Sequence, residues 1–126
     1  MREEVIRVVE AYINAVRNND NYALPLHPDV VFESPLSSIK GIDDFRKGLG
    51  DFVPILKGIK VLRLTADDDT CAAVLELDTI FGLLPFLEYF HVVDGQIVSI
   101  RAYYDPRPVI EGLVLAARGA GRTGGG

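Results

Sequence analysis

Leu84–Asp105, LPFLEYFHVVDGQIVSIRAYYD, is the stretch whose reading decides the fold: two β-rich runs joined at Asp94-Gly95. A turn dipeptide between apolar, β-branched runs is the strongest short-range hairpin signal a sequence carries. The length of the turn decides what Glu88 faces. A two-residue turn at Asp94-Gly95 pairs Val93 with Gln96 and sets Glu88 opposite Arg101, as a cross-strand ion pair. A three-residue turn over Val93-Asp94-Gly95, with Gly95 left-handed at a bulge, pairs Val92 with Gln96 and sets Glu88 opposite Ile100. Phe86, Glu88, Phe90, Ile100, Ala102 and Tyr104 then share one face, and Arg101 turns away. A carboxyl group among aromatics is a candidate acid; one beside an arginine is not.

Upstream of the hairpin the pattern is also strands. Ile59–Ala66 forms one, Asp67-Asp68-Asp69 a turn, and Cys71–Phe81 another. The three aspartates lack the ligand spacing and terminal glutamate of a calcium loop. Further back, Gly41–Leu56 carries Ile42, Phe45, Leu49, Phe52 and Leu56 in helical phase, with Asp43 and Asp44 at its positive end. Gly48, Gly50 and Pro54 make that helix weak alone, so packing must hold it. Asp29–Ser34 reads as a short strand stopped by Pro35, and Asn21–Pro28, with two prolines, as one turn or a loop. Val5, Ile6, Val9, Tyr12, Ile13 and Val16 recur at three- and four-residue spacing, which predicts a helix from about Arg2 to Arg17. Downstream, Pro106 and Pro108 end the last strand, Asp105 stops it, Val109–Ala117 reads as a short apolar helix, and residues 119–126 read as a disordered Gly-rich tail. Helices first, then consecutive antiparallel strands, imply an α+β fold with helices on one face of a curved sheet.

At 126 residues the chain is long enough to enclose a core and a cavity. Its formal charge of -5 argues against a nucleic-acid groove or an anionic membrane surface as partner, since both need clustered Lys and Arg. Cys71 is the only cysteine, which rules out an internal disulfide. His27 and His91 lack a carboxylate at ligand spacing, so no metal site is expected. No Gly-rich loop leads from a strand into a helix, so no dinucleotide or nucleotide phosphate site is expected either. With no leader pattern and no long apolar run, a cytoplasmic protein is the expectation.

The order of elements resembles the NTF2-like superfamily, and especially its SnoaL-like, ketosteroid isomerase-like and limonene epoxide hydrolase-like branches. The residues carrying the resemblance are Y-I-N-A-V-R-N-N-D (12–20), D-V-V-F-E-S-P (29–35), G-I-D-D-F (41–45) and F-H-V-V-D-G-Q-I-V-S-I-R-A-Y-Y-D (90–105). It implies one NTF2-like (cystatin-like) cone over residues 1–118, a mostly antiparallel sheet with helices packed on its concave face. It further implies a cavity between sheet and helices, a bulged turn at Val93-Asp94-Gly95 that favours a cavity-facing Glu88, and a homodimer through the outer sheet face.

Carried over residue by residue, the ketosteroid isomerase-like pattern puts Tyr12 and Glu88 on the pair that stabilises a dienolate oxyanion. A carboxyl group in an apolar cavity stays neutral at pH 7 and donates a hydrogen bond. The aspartate base before a proline becomes Ser34, and serine moves no proton at neutral pH; Glu33 would replace it only in a shifted register. The limonene epoxide hydrolase-like pattern puts its central acid on Asp78, but its arginine becomes Glu76 and its second aspartate Ala102. SnoaL-like cyclases need a single acid/base carboxylate and remain compatible. Glu76 and Asp78, two apart in one strand, share a face with Cα atoms about 6.5 Å apart. Either that face is the cavity, or Cys71, Ala73, Leu75 and Leu77 face the core and both acids face water. The implied site is therefore Asp78, Glu88 and Tyr12 as proton-handling groups, with Glu76, Phe32, Ser34, Phe86, Phe90, Ala102 and Tyr104 around a small apolar organic ligand and no cofactor.

Overall fold

The computed structural model describes residues 1–125 and, within the last helix, side chains only as far as Arg118. Helix α1 (Arg2–Arg17) opens the chain. It buries Val5, Val9, Tyr12, Ile13 and Val16 on one stripe and carries Glu3 and Glu4 in its first turn. A short 3-10 turn (Asn21–Ala23), capped by the Asp20 carboxyl accepting from Ala23 N, leads into β1 (Leu26–Glu33). Strand β1 starts earlier than the run read from sequence and contains Pro28. That is tolerated because β1 pairs regularly with the last strand only from Val31 to Glu33, and Pro28 falls where the register is broken. Strand β2 (Ser38–Lys40), too short to carry a pattern of its own, returns antiparallel to β1.

Helix α2 (Ile42–Phe52) follows, shorter than the expected Gly41–Leu56 because Pro54 converts the next residues into a 3-10 turn, Val53–Ile55. Four long strands complete the sheet: β3 (Leu56–Ala66), β4 (Thr70–Thr79), β5 (Gly82–Val93) and β6 (Gln96–Tyr103). The sheet order is β2-β1-β6-β5-β4-β3, antiparallel throughout except for β1 beside β6. It is a curved, unclosed sheet of mixed but mostly antiparallel pairing, with α1 lying across β3 to β6 and α2 against β1.

Asp105 does end the strand region. Its carboxylate accepts from the Arg107 backbone N–H and, at 2.6 Å, from Arg107 Nη2, which holds it down at about 2. Helix α3 (Arg107–Gly125) starts there and extends past the expected Ala117. The expected tail over 119–126 falls outside the residues whose side chains are described. Gly112 lies so close to the Phe81 ring that a Cβ there has no room, so α3 is seated on the β4–β5 turn.

The hairpin adopts neither register predicted for it. Asp94 and Gly95 both have positive φ, 50° and 77°, the signature of a tight two-residue turn, and Val93 pairs Gln96. Two residues later β6 bulges: Val92 pairs Ile97 but His91 pairs Ser99, leaving Val98 without a partner. The extra residue places Glu88 opposite Ala102 and Arg101 opposite Tyr89. The bulge thus sits in the strand instead of the turn, yet the face is the one that puts the carboxyl group inward.

Candidate functional site

Between α1, α2 and the concave sheet face lies a cavity of about 350 Å³. Its walls are almost wholly apolar. Leu75 and Leu77 of β4 and Phe86 of β5 form the floor, while Phe45, Leu49 and Phe52 of α2 form a side. Val109 and Leu113 of α3 lie across one end, and Leu36 and Asp51 lie at the rim. A second depression, about 400 Å³ between α1 and β3, is lined by Glu10, Arg17 and Lys60 and holds no buried acid.

Glu88 is the buried charge-bearing group of the cavity, only 7% exposed. Its cross-strand neighbours on that face are Ala73 of β4 and Ala102 of β6, both buried. With alanine on both sides, the carboxyl group has no cation across either strand. Among the described residues its oxygens have no hydrogen-bond partner and no ion-pair partner. Burial alone raises its pKa to about 8, which makes it predominantly a neutral acid at pH 7.

Tyr12 is brought over Glu88 by the helical phase of α1 and fixed by aromatic contacts. Its ring stands edge-on to Phe90 at 5.4 Å and tilted to Phe45 at 6.3 Å, and Phe45 in turn meets Phe32 edge-on at 5.5 Å. Burial, and then the charge on Glu88, pushes the Tyr12 hydroxyl well above its ordinary range, so it stays a donor. Phe86 and Tyr104 stack at 4.8 Å on the same floor, and burial also raises Tyr104.

The cavity therefore gathers Tyr12, Glu88, Phe32, Ser34, Phe86 and Tyr104 of the expected residues. It does not gather the rest. Asp78 and Glu76 lie on the opposite face of β4, because Cys71, Ala73, Leu75, Leu77 and Thr79 are the buried phase. Leu77 lies between the two acids and alternation sends them out, so neither belongs to the site. Phe90 is solid core beneath Tyr12, and Ala102 is buried beside Glu88 without bordering the cavity. Ser34 borders it, but its Oγ accepts from the Leu36 and Ser37 backbone N–H groups and lies 3.0 Å from Ser37 Oγ, which makes it a turn-forming hydroxyl. Glu33 is on the outer side, 3.6 Å from Arg101. Leu75, Leu77 and the α2 residues were missed as lining; the β4 phase that buries Cys71 was the available signal for the first two. Among the described residues no three His, Cys, Asp or Glu side chains cluster as a metal site, and no helix is long and apolar enough to cross a membrane.

The family described as Domain of unknown function (DUF4904) matches residues 1–116. The chain belongs to that family. Among solved structures it is similar to a protein from Kribbella flavida, with 25% identity and a TM-score of 0.84 over 90% of this chain and 97% of that one. A ketosteroid isomerase-like protein from the same organism matches with 20% identity and a TM-score of 0.76, over 82% and 79%. An epoxide hydrolase of the LEH-like type from M. tuberculosis matches with 27% identity and a TM-score of 0.71, over 92% and 96%. The fold is the NTF2-like one. No curated protein matches the chain.

Proposed function

We propose that this DUF4904 domain encloses a small, largely apolar carbonyl compound and moves a proton next to its carbonyl group without a cofactor. The observation that carries this reading is the unpartnered Glu88 carboxyl, buried in a cavity that Tyr12 also lines and close enough for its charge to act on the Tyr12 hydroxyl. A group titrating near pH 8 is well matched to proton transfer at neutral pH. In its ionised form Glu88 takes a proton from the carbon adjacent to the carbonyl and returns it, to that carbon or another. Tyr12, still protonated, donates a hydrogen bond to the enolate oxygen as charge develops there. Asp78, on the far side of the sheet, has no part in the step. The same fold in ketosteroid isomerase-like and polyketide cyclase-like proteins supports an isomerase or cyclase type of chemistry.

The test is exchange of the hydrogens adjacent to the carbonyl of a panel of small cyclic ketones in D2O, followed by NMR. Wild-type protein is expected to accelerate exchange, with a rate that rises with pH and levels above about 8. Acceleration that survives in Glu88→Gln would sink the reading. Should the ketones bind without exchange, the domain is a ligand-binding module.

The outer sheet face supports a second copy of the chain as partner. Val74, Leu83, Tyr89 and Tyr103 are exposed there, flanked by Arg101, Arg63 and Glu76. An apolar centre with a charged rim is the composition of a self-complementary interface. Sedimentation should give a dimer that Tyr89→Asp converts to monomer; a wild-type monomer at micromolar concentration removes the proposal.

A further inference from the structure

The cavity is electrostatically one-sided. Glu88 at the floor and Asp51 at the rim are acids, and among the described residues no Lys, Arg or His lines it. A carboxylate ligand would find no cation there. Glu88 also lacks any internal counter-charge, since its cross-strand neighbours are alanines, and it borders the cavity directly. Aromatic faces complete the surroundings, with the Phe86–Tyr104 stack on the floor and the Phe32–Phe45 pair at the side. An acid without a partner, in an apolar hollow walled by rings, fits an ammonium group, which gains both an ion pair and cation–π contact.

We propose that the cavity is also a site for small lipophilic amines, bound as an ammonium against the Glu88 carboxylate with the Tyr12 hydroxyl oxygen accepting a second N–H. The inference rests on the reading that Glu88 faces a ligand-accessible hollow, and it adds a ligand class that the carbonyl chemistry does not require. The two classes select opposite forms of one group. A ketone accepts a hydrogen bond from the neutral acid, whereas an amine needs the carboxylate and expels its proton. The other titratable groups facing Glu88 are Tyr12 from α1, Cys71 one row along β4, Tyr104 after β6 and Asp51 from α2. None of them is a cation that could supply the charge in the amine's place. From α3, Val109 and Leu113 are apolar.

The experiment is titration calorimetry of the wild-type protein with phenethylamine and with the neutral 4-phenyl-2-butanone, in two buffers of different ionisation enthalpy. Phenethylamine is expected to bind at pH 7 with release of close to one proton. Its affinity should rise roughly tenfold per pH unit up to about 8 and then level. The ketone should bind with no proton release and with no gain on raising the pH. Glu88→Gln should lose the amine and keep the ketone. Ketone binding without amine binding overturns the amine site and leaves the carbonyl reading intact. Amine binding without proton release, or binding that persists in Glu88→Gln, also overturns it. Failure of both ligands overturns the shared premise of an accessible hollow.

Discussion

The two faces of the β4–β5 pair carry acids within a few residues of each other and do opposite things with them. On the inner face Glu88 stands between Ala73 and Ala102, under α1 and away from cations. On the outer face Glu76 stands between Lys60 and Pro85, and Asp78 between Gly58 and Leu83, half-buried and open to solvent. What separates a proton-handling group from a solubilising one here is not residue type but strand phase, because alternate side chains enter different media. A carboxyl group on the outer face keeps its water. Glu88 has lost it and gained no hydrogen bond in return, so its neutral form wins.

Removing the inner acid gives the largest expected effect. Between about 4.5 and 8 the folded chain holds the Glu88 proton that the unfolded chain has released, so stability falls as pH rises through that window and is level above it. The loss is on the order of 5 kcal/mol at its full extent. Glu88→Gln should abolish that slope in urea denaturation followed across pH, and be more stable than wild type at pH 8.5; Glu76→Gln and Asp78→Asn should keep it. A wild-type slope in Glu88→Gln would mean that the two faces do not differ as described.

Chemistry should divide along the same line. Glu88→Gln is expected to lower the ketone exchange rate by about 100-fold or more, and Tyr12→Phe by roughly tenfold to 100-fold, the usual worth of a positioned proton-transfer group or oxyanion donor. Glu76→Gln and Asp78→Asn should stay near the wild-type rate, as read from initial rates at saturating ketone.

The packing beside Glu88 provides a smaller contrast between adjacent residues. Ala73 is fully buried on the inner face and Ala72 partly exposed on the outer. Ala73→Leu overpacks the core and should cost about 1–3 kcal/mol, whereas Ala72→Leu should change stability by under about 0.5 kcal/mol. Thermal denaturation of both variants separates these outcomes.

How much of this was legible before the structure follows from the same contrast. Helix α1 was legible because its apolar positions repeat with a clear period, and the hairpin because Asp94-Gly95 supports positive φ at both positions. The direction of Glu88 was not, since the residues left two registers open and only the family resemblance favoured the inward one. The phase of β4 stayed open, since alternation alone favours burying Leu75 and Leu77 while the family resemblance buries both faces of the sheet. Only the packing of Ala73, Leu75 and Leu77 against the helices decides it. The bulge was placed in the turn when it lies at Val98, because a lone unpaired valine in the run Ile97-Val98-Ser99-Ile100 looks like any other strand residue. Strand β2 escaped for want of length, and Pro28 hid the start of β1. The α2 wall of the cavity was visible as a helix face but not as a lining, since periodicity reports burial and not what a side chain is buried against.

Val98 sets the register of everything that follows it in β6. Were it drawn into the ladder opposite His91, each later residue would slip by one, and guanidinium from Arg101 would come to face the hollow's acid in place of Ala102. Losing Val98 outright would straighten the strand and leave Glu88 opposite Ala102, so the fold tolerates the absence of this residue better than its insertion into regular pairing.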